Sequence, residues 1–261
     1  MALESRDKKD GSKPVVVPVY IITLPNSPAR VAAIVEDLSR HDSFIEINKI
    51  EGVKGGLLPD IVCRMLTRNE WSVNHKGVLG CFLSHARVWQ MVATRSEPFS
   101  LVLEDDAILQ NVESLDSLVC PEAWDIAFCN ARTAYPQSAG HDQSFRSVNP
   151  VPQYATGHGQ AIGTDGYLVT PQGARKLLSY VERDSFFTHV DLRMMSYALT
   201  DGWDSDFPAE GKMTDTLRGL RKPYPAEHRL LAYSLFPPIT SHANILSRRQ
   251  LEDDLNATLK V

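Results

Sequence analysis

Short runs of β-branched residues alternate along this chain with segments whose apolar residues recur at helical spacing, and that alternation restricts the folds open to it. Residues 15–24 are rich in Val and Ile and close on Pro25, Asn26 and Ser27, so they predict a buried first strand ending in a loop. Ser27 as N-cap, Pro28 at the first helical position, and Val31, Ile34, Val35 and Leu38 predict the helix that follows. Residues 44–50 alternate as a second strand, and Gly52, Gly55, Gly56 and Pro59 break the chain before a short helix near 61–66. Val78, Phe82, Leu83, Val88, Trp89 and Val92 predict a helix over 77–94, and residues 99–103 form a continuous apolar strand. Strands are expected at 124–129 and 166–169, the second leading through Thr170 and Pro171 into a helix over 172–181. A helix over 190–199, an irregular charged stretch over 202–225 and a late strand over 229–236 complete the order. Such alternation implies βαβ crossovers and a mostly parallel sheet covered on both faces. The expected organisation is α/β, with one domain over 14–261 behind a flexible tail at 1–13.

With 261 residues, 43% hydrophobic and 23% charged, the chain is not a disordered one. Lys and Arg number 27 against 32 Asp and Glu, a net charge of −5, so no cationic surplus is available for a nucleic-acid backbone. No apolar run approaches the roughly 20 residues that cross a bilayer. The first 13 residues lack an apolar signal core, and a cytoplasmic location is expected. Cys63, Cys81, Cys120 and Cys129 contain no C-x-x-C pair and read as reduced core thiols.

In Leu101-Val102-Leu103-Glu104-Asp105-Asp106 an apolar strand delivers three carboxylates to its C-terminal end, where open α/β sheets bind ligands. Continued alternation would put Glu104 and Asp106 on one face and Asp105 on the other, so that the first and third acids share a hard divalent cation bridging a nucleotide diphosphate. Mg²⁺ or Mn²⁺ suits carboxylate oxygens, and a nearby imidazole favours Mn²⁺. The alternative is that the acids solvate a strand end and Asp106 serves a local turn. Glu252-Asp253-Asp254 repeats the tripeptide beside Arg248 and Arg249 in an expected helix, and Asp204-Ser205-Asp206 has no strand feeding it. Context therefore favours Glu104 and Asp106.

Five motifs occur in one order: Tyr20-Ile21-Ile22-Thr23-Leu24 with Ser27-Pro28-Ala29-Arg30; Gly77-Val78-Leu79-Gly80-Cys81-Phe82-Leu83-Ser84-His85; Leu103-Glu104-Asp105-Asp106-Ala107; Trp124-Asp125-Ile126; and Gly163-Thr164-Asp165-Gly166-Tyr167-Leu168 running into Gly173-Ala174-Arg175-Lys176-Leu177-Leu178. Together, over most of the chain, they resemble glycosyltransferase family 25, which includes bacterial lipopolysaccharide galactosyltransferases and procollagen galactosyltransferases. The resemblance implies a GT-A-like fold with a half-Rossmann nucleotide sheet, a UDP-sugar donor, and Mn²⁺ or Mg²⁺ held by the acidic motif. It implies donor contacts at Thr23, Arg30, Ser84, His85, Glu104, Asp105, Gly163, Thr164 and Tyr167. Thr23 and Pro25 stand where the family often has Asn and Asp, and Gly166 where it has Ala, which leaves the sugar's identity open.

Sugar transfer needs its departing diphosphate stabilised, and a divalent ion does so without proton bookkeeping. Asp106 is the first choice for coordination, with Glu104 sharing the ion or orienting donor hydroxyls. His242, behind residues 237–241, is a third candidate ligand, because GT-A enzymes frequently return one late in the chain. An inverting enzyme also wants a carboxylate base for the acceptor hydroxyl. Asp191 is the candidate and Asp165 and Asp125 its rivals, whereas a capping box, with Asp191 bonded back to the Thr188 N–H, is the structural alternative. Arg30 either faces phosphate from a first helical turn or is surface charge. Ser84 and His85, inside an apolar helix, require partners if buried, either the donor or the backbone. Tyr167, Trp71 and Trp203 either stack on sugars or pack. The expected function is transfer of a hexose, galactose favoured, from a UDP-sugar to a saccharide, glycolipid or other hydroxyl acceptor, with inversion. A glycolipid acceptor would bring peripheral membrane contact. A metal-dependent nucleotidyl or phosphoryl transferase and a noncatalytic carbohydrate-binding protein are the competing classes.

Overall fold

The computed structural model describes residues 16–25, 27–130, 145–148, 163–199, 217, 219–220 and 229–242. The expected tail at 1–13, most of the 202–225 stretch, Trp203, and the acid clusters at 204–206 and 252–254 lie outside them. Helices are α1 (Pro28–Ser39), α2 (Asp60–Thr67), α3 (Trp71–Asn74), α4 (Lys76–Val92), α5 (Pro171–Asp184) and α6 (Val190–Ala198). Strands are β1 (Val17–Thr23), β2 (Ile45–Glu51), β3 (Ser100–Glu104), β4 (Ala107–Leu109), β5 (Ile126–Phe128), β6 (Phe145–Ser147), β7 (Gly166–Val169), β8 (Ala232–Leu235) and β9 (Thr240–His242).

Seven strands form one sheet in the order β2-β1-β3-β7-β5-β8-β6, and β4 pairs with β9 in a separate ribbon. β1, β2 and β3 run parallel, the half-Rossmann element expected, and β5 and β8 are also parallel to each other. β7 inserts between β3 and β5 antiparallel to both, and β6 closes the edge antiparallel to β8. The βαβ reading thus holds for the first three strands and fails at β7, because apolar alternation is the same for either strand direction.

Alternation sorts the strand residues into two cores, one on each face of the sheet. Tyr20, Ile22, Val102, Phe128 and Tyr167 pack against α4, α5 and α6. Val19, Ile21, Leu101, Leu103 and Leu168 pack against Val31, Ile34 and Leu38 of α1. No helix among the described residues is long and apolar enough to cross a membrane.

The Thr170 cap forms as expected, its Oγ1 accepting the Gly173 N–H at 2.9 Å. Ser27 does not cap α1 with its side chain: its Oγ accepts a hydrogen bond from Arg30 Nη2 at 2.9 Å, and its carbonyl closes the first turn with Val31 N–H. α3, β4 and the 3₁₀ turns Gly55–Leu57 and Val112–Ser117 are too short to carry a readable period.

α4 lies hard against the loop after β2. A Cβ on Gly80 would fall 2.5 Å from the Val53 carbonyl oxygen and 2.6 Å from Gly55 N, closer than real Cβ atoms come to backbone. Gly80→Ala should therefore cost roughly 1–3 kcal/mol, read as a lowered urea midpoint; an unchanged midpoint would mean that the loop yields freely.

Candidate functional site

The connection from β1 runs through α1 to β2 on one side, and the chain then returns to β3 on the other side of β1. Connections diverge between β1 and β3, which is where an open α/β sheet leaves a crevice at its strand carboxyl ends. A cavity of about 400 Å³ occupies that place, large enough for a small-molecule ligand. Ile22, Thr23 and Leu24 line it from the end of β1, and Glu104, Asp105 and Asp106 from the end of β3. Ser27 and Arg30 come from the start of α1, and residues 52–57 from the loop after β2. Gly77, Cys81, Ser84 and His85 complete the wall from one face of α4, spaced as a helical stripe must be.

The acids do not alternate as expected. β3 stops at Glu104, and Asp105 and Asp106 form the turn into β4, so all three carboxylates border one cavity. A turn rather than a continued pleat brings them to the same side. Asp105 forms an ion pair with Arg30 Nη2 at 3.3 Å and accepts the Leu24 N–H at 3.5 Å, tying the turn to β1 and α1. Burial pushes the Asp106 carboxyl up to about 6, helped by the charges of Glu104 and Asp105 and opposed by Arg30.

Glu104 is held from behind by a chain of buried polar groups. Trp89 Nε1–H donates to the Tyr167 hydroxyl at 2.8 Å, and that hydroxyl is 3.0 Å from His85 Nδ1. Burial drives the phenol's pKa well above its ordinary value, so Tyr167 keeps its proton. The network then assigns the ring proton to His85 Nε2, which donates to Glu104 Oε1 at 3.3 Å. Thr164 Oγ1 donates to the same carboxylate oxygen.

Other expected residues fall in two groups. Thr23, Arg30, Ser84, His85, Glu104, Asp105 and Asp106 share the cavity. Ser84 nonetheless spends its hydroxyl on backbone, donating to Gly80 O at 2.7 Å and accepting Val53 N–H at 2.8 Å. Gly163, Thr164, Asp165, Tyr167 and Asp191 stand behind that wall. Asp165 is buried, accepting from Asn130 Nδ2 at 3.3 Å and Thr240 Oγ1 at 3.1 Å. The capping box at Asp191 is not formed: the N-cap is His189, not Thr188, which leaves Asp191 too early in the helix to reach back. Its Oδ2 instead accepts the N–H of Gly163 at 3.1 Å, and its Oδ1 that of Leu192 at 2.8 Å. Gly163 has φ of 74°, the left-handed region that glycine enters without strain. Asp125 precedes β5 at the opposite end of the sheet, held by Lys176 Nζ at 2.6 Å and Leu231 N–H at 2.8 Å. Trp71 stacks on His75, and Tyr167 is fully buried, so neither presents a ring to the cavity. The β4–β9 register sets His242 opposite Ala107, one residue from Asp106.

Sequence reasoning missed Lys54 and Cys81 in the wall. The signal for Lys54 was Gly52-Val53-Lys54-Gly55-Gly56 directly after a strand, since clustered glycines let backbone approach a ligand.

The profile of glycosyltransferase family 25, described as an LPS biosynthesis protein, matches residues 16–194. This chain belongs to glycosyltransferase family 25. Over 193 residues it is 27% identical to the probable inactive glycosyltransferase 25 family member 3 of Bos taurus, covering 67% of this chain and 31% of that protein. Procollagen galactosyltransferase 1-B of Xenopus laevis is 29% identical over 113 residues, 40% of this chain and 17% of that protein. The chain thus spans about a third or less of the length of these curated relatives. The solved structure of the glycosyltransferase GlyE from Streptococcus pneumoniae TIGR4 aligns over 85% of this family 25 chain and 45% of that one, at 14% identity and a TM-score of 0.37.

Two substitutions probe the wall. Tyr167→Phe leaves Trp89 Nε1–H and His85 Nδ1 buried without the hydroxyl and should cost about 1–3 kcal/mol in denaturant unfolding. Asp106→Asn should do the reverse in metal-free buffer. A carboxyl raised in the folded state binds more protons there than in the unfolded chain, so ionising it destabilises the fold progressively between about pH 4 and 6. The Asn variant should match the unaltered protein below pH 4 and gain about 1–3 kcal/mol by pH 7 in urea melts; a constant difference across pH would reject this.

Proposed function

We propose that this family 25 chain transfers a hexose, galactose favoured, from a UDP-sugar to the hydroxyl of a saccharide, glycolipid or other acceptor. The observation that carries the reading is the acid turn at the β1–β3 crevice, where Glu104, Asp105 and Asp106 converge and Asp106 is pushed up to about 6. Support for galactose is the name of the procollagen galactosyltransferase relative, and support for a glycolipid is the family's description.

The donor set fits a hard divalent cation. Three carboxylates border the cavity, burial and then the charges of Glu104 and Asp105 raise the Asp106 carboxyl, and oxygen ligands are what Mn²⁺ and Mg²⁺ take. Asp106 and Glu104 would hold the ion, with His242 of β9 as the third candidate ligand. When bound, such an ion supplies positive charge to the departing diphosphate. The chain's own residues contribute the rest. Arg30 and Lys54 bring two cations to the cavity for the phosphates. His85 and Thr164 fix the Glu104 carboxylate, so its lone pairs are aimed before the donor arrives. In the transfer the acceptor oxygen bonds to the anomeric carbon and gives up its hydroxyl proton to water, the bond to the diphosphate breaks, and UDP leaves with that electron pair.

Asp191 enters this reading as a positioning residue. It holds the N–H of Gly163, one residue before the Thr164 that anchors Glu104. Asp191→Asn should then weaken UDP–Mn²⁺ affinity together with turnover. Loss of turnover at unchanged affinity would restore it to the role of base.

Relatives named inactive make a noncatalytic saccharide-binding protein the reading to exclude. Incubation with UDP-galactose and Mn²⁺ should release UDP, and Asp106→Ala should reduce that release by about 100-fold or more with the circular dichroism spectrum unchanged. Undiminished release from the variant would remove the acid turn from the chemistry. Release of UMP or phosphate would instead favour a nucleotidyl or phosphoryl transferase.

A further inference from the structure

Beside the acid turn the same cavity wall carries a second group of ligands with different chemistry. Cys81 and His85 are four residues apart on the cavity face of α4, and Glu104 meets them from the end of β3. One ligand atom from each lies within 4.8 Å of the other two, and His85 Nε2 is already 3.3 Å from Glu104 Oε1. Carboxylates alone suit Mn²⁺ and Mg²⁺, whereas thiolate and imidazole select zinc-class ions, which the Irving–Williams order also favours over manganese.

We propose that Cys81, His85 and Glu104 form a zinc-class metal site, distinct in donor chemistry from the acid turn and sharing Glu104 with it. Ligand atoms on tetrahedral zinc stand about 3.3–3.8 Å apart, so the His85–Glu104 pair is at its bound spacing and the 4.8 Å limit leaves side-chain rotation of Cys81 to close the set. Three protein ligands leave a fourth position facing the cavity, the arrangement of zinc sites that also take water or substrate. A supporting partner is in place as well. With Nε2 given to the ion, the imidazole proton resides on Nδ1 and donates to the Tyr167 oxygen 3.0 Å away, so the ring keeps its orientation. The Cys81 thiol gives its proton to solvent as the ion binds. Zinc at this site draws Glu104 away from the acid turn and so opposes the nucleotide-bound cation there. That consequence rests on the proposed donor site, whereas the metal site itself does not.

The test uses the full chain without nucleotide and Co²⁺ as a spectroscopic stand-in for zinc. The unaltered protein should bind Co²⁺ with a thiolate-to-cobalt charge-transfer band that persists in Cys120→Ser, whose cysteine is exposed elsewhere. Cys81→Ser should lose the band and bind Zn²⁺ about tenfold or more weakly. No band in the unaltered protein, or a band surviving in Cys81→Ser, overturns the site. A second measurement needs no variant. Zn²⁺ should slow iodoacetamide alkylation of Cys81 by about tenfold or more, scored by peptide mass spectrometry, while equal Mn²⁺ leaves the rate near its metal-free value. Equal Cys81 rates with and without zinc overturn the proposal independently of how any substitution folds.

Discussion

The carboxylate of Glu104 stands at the end of a buried strand, and it can remain there only because donors meet it from two directions. His85 reaches it from α4 and Thr164 from the approach to β7, so one acid couples a helix, a central strand and an antiparallel insertion. Unpaired polar groups at that depth are costly, which makes the Trp89–Tyr167–His85 chain a condition of the wall and not an ornament on it. Register explains how Tyr167 arrives. It pairs with Val102 across β3 and β7, and so its side chain falls on the α4 face of the sheet.

The same helix shapes the opposite rim of the cavity. Gly80 lets α4 touch the backbone at Val53 and Gly55, and Ser84 locks the contact by accepting the Val53 N–H. Lys54 at the centre of that loop lines the cavity together with Arg30 from the start of α1. The cations and the acids that line the cavity come from different elements, and the Arg30–Asp105 ion pair at 3.3 Å joins the two sets.

Family 25 membership and activity are separate matters in this structure. Among the curated relatives are proteins named inactive and one named a procollagen galactosyltransferase, so family membership by itself does not distinguish them. Activity belongs to the groups around a crevice and not to the fold that carries them. Here the acids converge on one cavity, burial together with the charges of Glu104 and Asp105 raises the Asp106 carboxyl, and hydrogen bonds from His85 and Thr164 hold Glu104 in the wall.

Local periodicity was sufficient to read α1, α4, α5 and the strands at 17–23 and 100–104, because a period of 2 or 3.6 residues is written in neighbouring side chains. It also placed three acids at a strand end and, with the motif order, named Arg30, Ser84 and His85. It could not show that β7 runs antiparallel, since strand direction depends on what pairs with it. Nor could it show that the pleat stops at Glu104 and puts Asp105 and Asp106 in a turn, because an acidic tripeptide continues a strand or ends one with the same residues. The partnership of His85 with Tyr167, 82 residues later, and of Asp191 with Gly163, 28 residues earlier, exists only after folding. Sequence alone determined the longer helices and strands and the three carboxylates that close one of those strands. Tertiary structure decided which of those groups share a cavity and which are consumed in holding it, because hydrogen bonds between distant segments follow the packing of the sheet and leave no trace in local spacing.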